Sequence, residues 1–197
     1  MAQPVFDRCF YQQDPETVAR ELLGQILVST IGGKRAAGVI VETEAYLATG
    51  DTAAHGFKGK TRKNSSMFGP AGHAYVYPIH ARYCFNAVTE AVDLPSAVLI
   101  RALQPICGMN LMRQRRNQSK IIDLCSGPAK LCQALGLDAA VDGLDLTRHR
   151  TVWIEAGSDA AIAVKSTVRI GVTSAQQLPL RFVIEANEYA SGPKYLR

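Results

Sequence analysis

Short strand-forming runs dominate this chain of 197 residues, and they never alternate regularly with helical segments. Ile26-Leu27-Val28, Ala37 to Tyr46, Tyr75-Val76-Tyr77, Tyr83 to Val88, Ala97 to Leu103, Val152 to Glu155, Ser166 to Ile170 and Leu180 to Ile184 all read as strands. Gly32-Gly33 sits where a hairpin would turn between the first two runs. Helical signals are fewer. Asp14-Pro15-Glu16 starts a helix that Gly24 stops, with Asp14 as cap. Two more helices are predicted, one from about Ile106 to Arg116 with a basic end and one over Pro128 to Leu135, capped by Ser126 and stopped by Gly136. The pattern predicts an α+β fold: one domain spanning residues 1–197, a mixed, mostly antiparallel curved β-sheet, and helices around it. An apolar content of 47% supplies enough core for that.

Several function classes drop out on composition. No run of 18 apolar residues exists, so no membrane-spanning helix is predicted. The start, Met1 to Asp7, lacks the charged and apolar stretches of a secretion signal, which makes the cytoplasm the expected location. Five scattered cysteines without a Cys-x-x-Cys pair read as reduced thiols, and no histidine lies at zinc-like spacing from Cys125 and Cys132. Neither metal nor cofactor is expected.

Charge is unevenly placed. From Thr52 to Thr89 there is no acidic residue, yet these 38 residues carry Lys58, Lys60, Arg62, Lys63 and Arg82, equal to the whole net charge of +5. Positive charge gathered in one segment is the footprint of a polyanion site, and nucleic acid is the usual polyanion; a solvated charged loop is the plainer alternative. His55, His73 and His80 are interleaved here with Phe57, Phe68, Tyr75, Tyr77 and Tyr83, a mixture that can stack bases while cations hold phosphates. The segment from His55 to Gly72 reads as a long surface loop or set of turns. Beyond it, a hairpin tipped by His80 and Arg82 joins the Tyr75 and Tyr83 runs.

Glu42 and Glu44 stand two apart at the end of an apolar strand, and Tyr46 comes next along the same face. Paired carboxylates suit acid and base roles in glycosidic cleavage, whereas a charged strand end on a solvated edge is the bland reading; spacing does not choose between the two glutamates. Asn86 and Arg101 are polar residues inside apolar strands, each either paired structurally or aimed into a site.

Val41-Glu42-Thr43-Glu44-Ala45-Tyr46-Leu47, Ala53-Ala54-His55, Met67 to Tyr77, Leu99-Ile100-Arg101-Ala102-Leu103 and Leu124 to Leu131 together closely resemble the alkyladenine (3-methyladenine) DNA glycosylases, in the expected order over most of the chain. The resemblance implies an enzyme that flips alkylated purines such as 3-methyladenine and 7-methylguanine, and a neutral lesion such as hypoxanthine, out of double-stranded DNA and hydrolyses the N-glycosidic bond, leaving an abasic site. It implies Glu44 as the base that activates water, with Arg101 near that water and the flipped nucleotide's phosphate. It further implies Tyr46, His55 and Tyr77 as the sandwich around the base and Asn86 as a bar to normal guanine. Lys60, Thr61 and Lys63 fall in the DNA-contact segment, and Lys130 lies in the first turn of a helix where it could meet a phosphate.

The sequence departs from that family at the hairpin, where His80 replaces the usual wedge tyrosine and the loop to Tyr83 is one residue short; His80 is expected to act as wedge, with Arg82 adding a phosphate or groove contact. No strand cleavage is implied, and a DNA-scanning monomer without membrane association is expected. The rival of another class is a non-catalytic DNA-damage-binding protein on the same fold.

Overall fold

A computed structural model describes residues 4–148, 150–158 and 161–193; the first three of the residues from Met1 to Asp7 lie outside them. Two short helices, α1 (Arg8–Tyr11) and α2 (Pro15–Glu21), come first. In α2, the Asp14 side chain accepts the Thr17 N–H at 3.0 Å and Pro15 occupies the first turn, as its spacing predicts. The strands are β1 (Ile26–Ser29), β2 (Ala36–Tyr46), β3 (Ala74–Ile79), β4 (Arg82–Thr89), β5 (Ser96–Cys107), β6 (Val152–Glu155), β7 (Val164–Thr167) and β8 (Arg181–Ile184). Helices α3 (Met109–Arg116) and α4 (Pro128–Leu135) follow β5.

All eight strands join one sheet, and every pairing between described strands is antiparallel. Its main path runs β3-β4-β5-β2-β1-β6. One flank of β2 is divided between two partners: Ala36 to Val39 pair with β1, and Glu42 to Glu44 pair with β8, while β5 runs along the other flank. Where the partners change, Val41 on β2 and Arg101 on β5 each stand outside the β2–β5 register. Such paired bulges bend a sheet and re-aim side chains locally. Here they aim Arg101 at the glutamates of β2.

Alternation sorts the two faces. Ala45, Val76, Phe85, Ala87, Val98 and Ile100 enter the main core with α2 and α4, whereas Tyr46, Tyr75, Tyr77, Val88 and Ala97 form a second cluster with Met67 and Phe68 on the opposite face. That second face is where the polar chemistry gathers.

Several boundaries differ from those the sequence predicts. Strand β5 runs on to Cys107, so α3 begins at Met109 rather than near Ile106; pairing of Gln104 and Pro105 with β2 outweighs the helical pattern there. Gly127, not Ser126, is the residue before α4, and Ser126 instead accepts a hydrogen bond from Lys130 Nζ. The predicted strand over Ser166 to Ile170 stops at Thr167, which frees Val168 to Ile170 to turn toward the end of β2. Among the described residues, no helix is long and apolar enough to cross a membrane.

Candidate active site

Glu42 and Glu44 are both fully buried, and Arg101, 6% exposed, lies between them. The Arg101 Nε donates to Glu42 Oε1 at 2.7 Å, and its Nη1 lies 3.2 Å from Glu44 Oε2. Their surroundings otherwise differ. Glu42 Oε1 also accepts from Arg181 Nε at 2.7 Å and from the Ser191 hydroxyl at 2.9 Å, and Glu42 Oε2 accepts the Ser191 N–H. Burial pushes the Glu42 carboxyl up, but Arg101, Arg181 and Ser191 outweigh it and hold the group below its ordinary range. Glu44 accepts the Ile170 N–H at 2.8 Å and the Tyr46 hydroxyl at 2.9 Å. For Glu44 burial wins over Arg101 and these two donors, and its proton affinity is raised.

Tyr46 is the lid between Glu44 and a cavity of about 320 Å³. Among the lining residues are Tyr46, His55, Met67, Tyr75, Tyr77 and Asn86, with Gly171 to Ser174 on the far side. That volume is at the low end for a small-ligand site. Glu44 and Arg101 are not among its lining residues; Glu44 is joined to its wall through the Tyr46 hydroxyl.

A buried arginine secures that lid. Arg169 donates to both Asp51 carboxylate oxygens, at 2.6 and 2.7 Å, with both side chains fully buried. Its Nη1 also donates to the Ala45 carbonyl at 3.0 Å, and its guanidinium lies 4.7 Å from the Tyr46 ring centroid. Asp51 in turn accepts the Leu47 and Ala53 N–H groups. One ion pair therefore ties the loop carrying Thr52 to His55 to the segment carrying Ile170 to Ser174. Sequence reading missed Asp51, Arg169 and Arg181, although the last two carry the signal that singled out Arg101: an arginine inside an apolar run.

The aromatic walls are in contact with one another. The His55 ring meets Tyr77 edge-on, with centroids 4.4 Å apart and planes at 75°, and His55 Nδ1 lies 2.7 Å from the Tyr75 hydroxyl. A base held between two parallel faces needs them about 7 to 8 Å apart, so no slot stands open between His55 and Tyr77. Burial lowers the His55 proton affinity and favours its neutral form. Asn86, 3% exposed, donates to the Tyr75 carbonyl at 2.8 Å and reaches the same cavity. Tyr75, paired with Asn86 across the strands, is a further wall residue.

The remaining residues singled out by the sequence lie outside this cluster. Lys60, Thr61 and Lys63 are exposed on a loop that Asn64 fastens: Asn64 Oδ1 accepts from the Thr61 N–H and hydroxyl, while Asn64 Nδ2 donates to the His55 and Gly59 carbonyls. Lys60 is 3.5 Å from Asp93. His80 and Ala81 form a two-residue turn with φ of 44° and 60°, the mirror-image type that suits the twist of a hairpin. Arg82 opens β4 and donates to Gln133. Ile79, beside the turn, is 42% exposed and lies at the cavity mouth.

The sequence model of the methylpurine-DNA glycosylases matches residues 9–188. The chain belongs to this family. As a methylpurine-DNA glycosylase it is a hydrolase acting on N-glycosyl bonds, a DNA-repair enzyme whose substrate is DNA. It is 45% identical over 189 residues to a protein of Rhodopirellula baltica, covering 93% of this chain and 81% of that one. A protein of Carboxydothermus hydrogenoformans is 44% identical over 186 residues, covering 93% and 97%, and one of Methanoculleus marisnigri is 43% identical over 187, covering 92% and 96%. All three are provisionally named 3-methyladenine DNA glycosylase.

Proposed function

We propose that this glycosylase takes double-stranded DNA containing an alkylated purine, turns the damaged nucleotide out of the stack toward the aromatic cavity, and hydrolyses its N-glycosidic bond with water activated by Glu44. The observation that carries this is the asymmetry of the two buried carboxylates. Glu42 is saturated by two arginines and Ser191. Glu44 keeps acceptor capacity and a raised proton affinity, one hydroxyl away from the cavity wall through Tyr46.

In the reaction, the water oxygen bonds to the anomeric carbon and its proton passes to Glu44. The purine leaves with the electrons of the glycosidic bond, which cancel the positive charge that methylation at N3 or N7 had placed on it. No proton donor to the leaving group is needed for such bases, and the product strand keeps an abasic site without strand cleavage. The carboxylate of Glu44 also opposes the cationic charge developing on the sugar. Arg101 keeps Glu44 oriented and stands near the flipped nucleotide's phosphate.

Tyr46, His55 and Tyr77 supply electron-rich walls for a cationic purine, and a neutral His55 avoids repelling it. Because His55 and Tyr77 touch, base entry parts them; the exposed His55 is the wall that yields. Asn86, fixed to the Tyr75 carbonyl, crowds the position of a purine 2-amino group. His80 wedges the duplex where the base has left, and Arg82, Lys60, Thr61, Lys63 and Lys130 hold backbone phosphates. The enzyme works as a monomer in the cytoplasm, on 3-methyladenine and 7-methylguanine, with hypoxanthine in reach. Incubation with methylated duplex DNA, followed by chromatography of the released material, tests this: free 3-methyladenine and matching abasic sites support it, and DNA that keeps all its bases contradicts it.

A further inference from the structure

Beside the hairpin, a groove of about 710 Å³ runs between the His80–Ala81 turn and α4, with Arg82, Arg115 and Gln133 among its lining residues. Gln133 organises it. Its Nε2 donates to the Arg115 carbonyl at 2.7 Å, which fixes the amide and turns Oε1 outward. That one neutral oxygen accepts from Arg116 Nη1 at 2.6 Å and from Arg82 Nη1 at 3.1 Å. Two guanidinium groups therefore converge on an uncharged acceptor.

The other acceptors of these arginines are also neutral: Arg116 Nε donates to the Leu124 carbonyl, and Arg115 donates to the carbonyls of Ala134 and Ile31. The one carboxylate in the lining, Asp138, accepts the Ala140 N–H and pairs with none of them. Among the described residues, no carboxylate lies within ion-pair distance of Arg82, Arg115 or Arg116. The charges are felt: after burial, the nearness of Arg82 is the largest influence lowering the Arg116 proton affinity, ahead of the opposing pull of Asp123. Gly136, at φ 76°, leaves the room Arg115 occupies, since a Cβ there would stand 2.9 Å from its guanidinium carbon. Converging guanidiniums held by carbonyls and an amide make a site that an anion with several oxygens completes.

We propose that one phosphodiester of the duplex backbone binds at the Gln133 edge of this groove, held by Arg82, which lines it, and by Arg116, which meets Arg82 across Gln133 from outside the lining. The assignment rests on the duplex-DNA substrate proposed above and extends the phosphate contacts from Arg82 to Arg116 and Gln133, which lie outside the acid-free stretch. The hairpin tip forms one rim of the groove, so a duplex engaged by His80 brings its backbone past these arginines.

The test is the salt dependence of binding to a duplex carrying an abasic-site analogue, followed by fluorescence anisotropy. Gln133→Glu puts one negative charge between the two guanidiniums, cancelling one of their two positive charges in place, at the cost of the bond that the amide donates to the Arg115 carbonyl. The plot of log K against log salt is expected to become shallower by about 0.9, with about tenfold weaker binding near ~0.1 M salt. Arg116→Gln is the second variant, read in the same way should Gln133→Glu lower the melting temperature. An unchanged slope in a variant that melts like the wild type overturns the groove. Base release by the wild-type protein is scored alongside. Release with an unchanged slope contradicts the groove alone, and a reduced slope without release contradicts the proposed chemistry alone.

Discussion

Glu42 and Glu44 contact the same guanidinium, Arg101, at 2.7 and 3.2 Å, yet their proton affinities move in opposite directions. The second arginine decides it. Arg181 of β8 closes on Glu42 and not on Glu44, so Glu42 is a fixed anion that binds three parts of the fold, while Glu44 is a buried carboxyl with a higher affinity for a proton. The same-face spacing of two carboxylates thus yields one group saturated by arginines and one with a raised proton affinity.

Stability should separate them. Glu42→Gln leaves Arg101 and Arg181 without their shared anion in a buried site, a loss on the order of 3 to 5 kcal/mol. Glu44→Gln removes a charge that burial disfavours while Arg101 keeps its 2.7 Å bond to Glu42, so its unfolding midpoint in urea should stay closer to the wild type than that of Glu42→Gln. The sign follows from the shifts: the depressed Glu42 contributes stability above the unfolded carboxylate value, lost as pH falls through its folded value, whereas the raised Glu44 favours folding only at low pH and loses that contribution as pH rises. Equal destabilisation by the two variants would contradict the division of roles.

The acid limb of the excision rate should report Glu44. A base must be ionised, so the single-turnover rate should fall with decreasing pH around a midpoint above the ordinary glutamate value of about 4.3. The Tyr46 hydroxyl bond lowers the Glu44 affinity, so Tyr46→Phe should move that midpoint upward. A midpoint that moves down, or stays, removes Tyr46 from control of the base.

Asp51 and Arg169 form a buried pair that joins the two loops beside the cavity. Asp51→Asn keeps the shape but leaves the Arg169 charge without its carboxylate, and should cost about 3 kcal/mol or more in urea denaturation. Because Arg169 also lies over Tyr46, excision at saturating substrate should fall as well. Wild-type stability in this variant would show that the pair is dispensable.

At the hairpin tip, Ala81 has φ 60°, a conformation that costs an alanine on the order of 1 kcal/mol and a glycine almost nothing. Ala81→Gly should therefore raise the thermal midpoint slightly without weakening binding to abasic-site DNA. His80→Ala should weaken that binding, with the exposed Ile79 retaining part of the wedge. Unchanged abasic-site binding and excision in His80→Ala would remove His80 from the wedge.

Much of this arrangement is legible in the sequence. Strand periodicity placed Glu42, Glu44 and Tyr46 on one face, and Asp14 with Pro15 marked the start of α2, because both signals are local. What stayed hidden depends on contacts between distant segments. Arg181 reaches Glu42 only because β8 replaces β1 along the flank of β2, and Arg169 reaches Asp51 only because β7 ends at Thr167. Neither event leaves a local mark in composition. The edge-on contact of His55 with Tyr77 was equally invisible, since spacing tells which residues share a face and not how far apart their rings stand.

The central claim is that Glu44 is the base, and Glu44→Gln tests it most directly. Single-turnover release of 3-methyladenine from methylated duplex DNA, measured beside binding to the same DNA, should fall by at least about 100-fold with binding largely retained. Release at the wild-type rate from the bound variant would contradict the account.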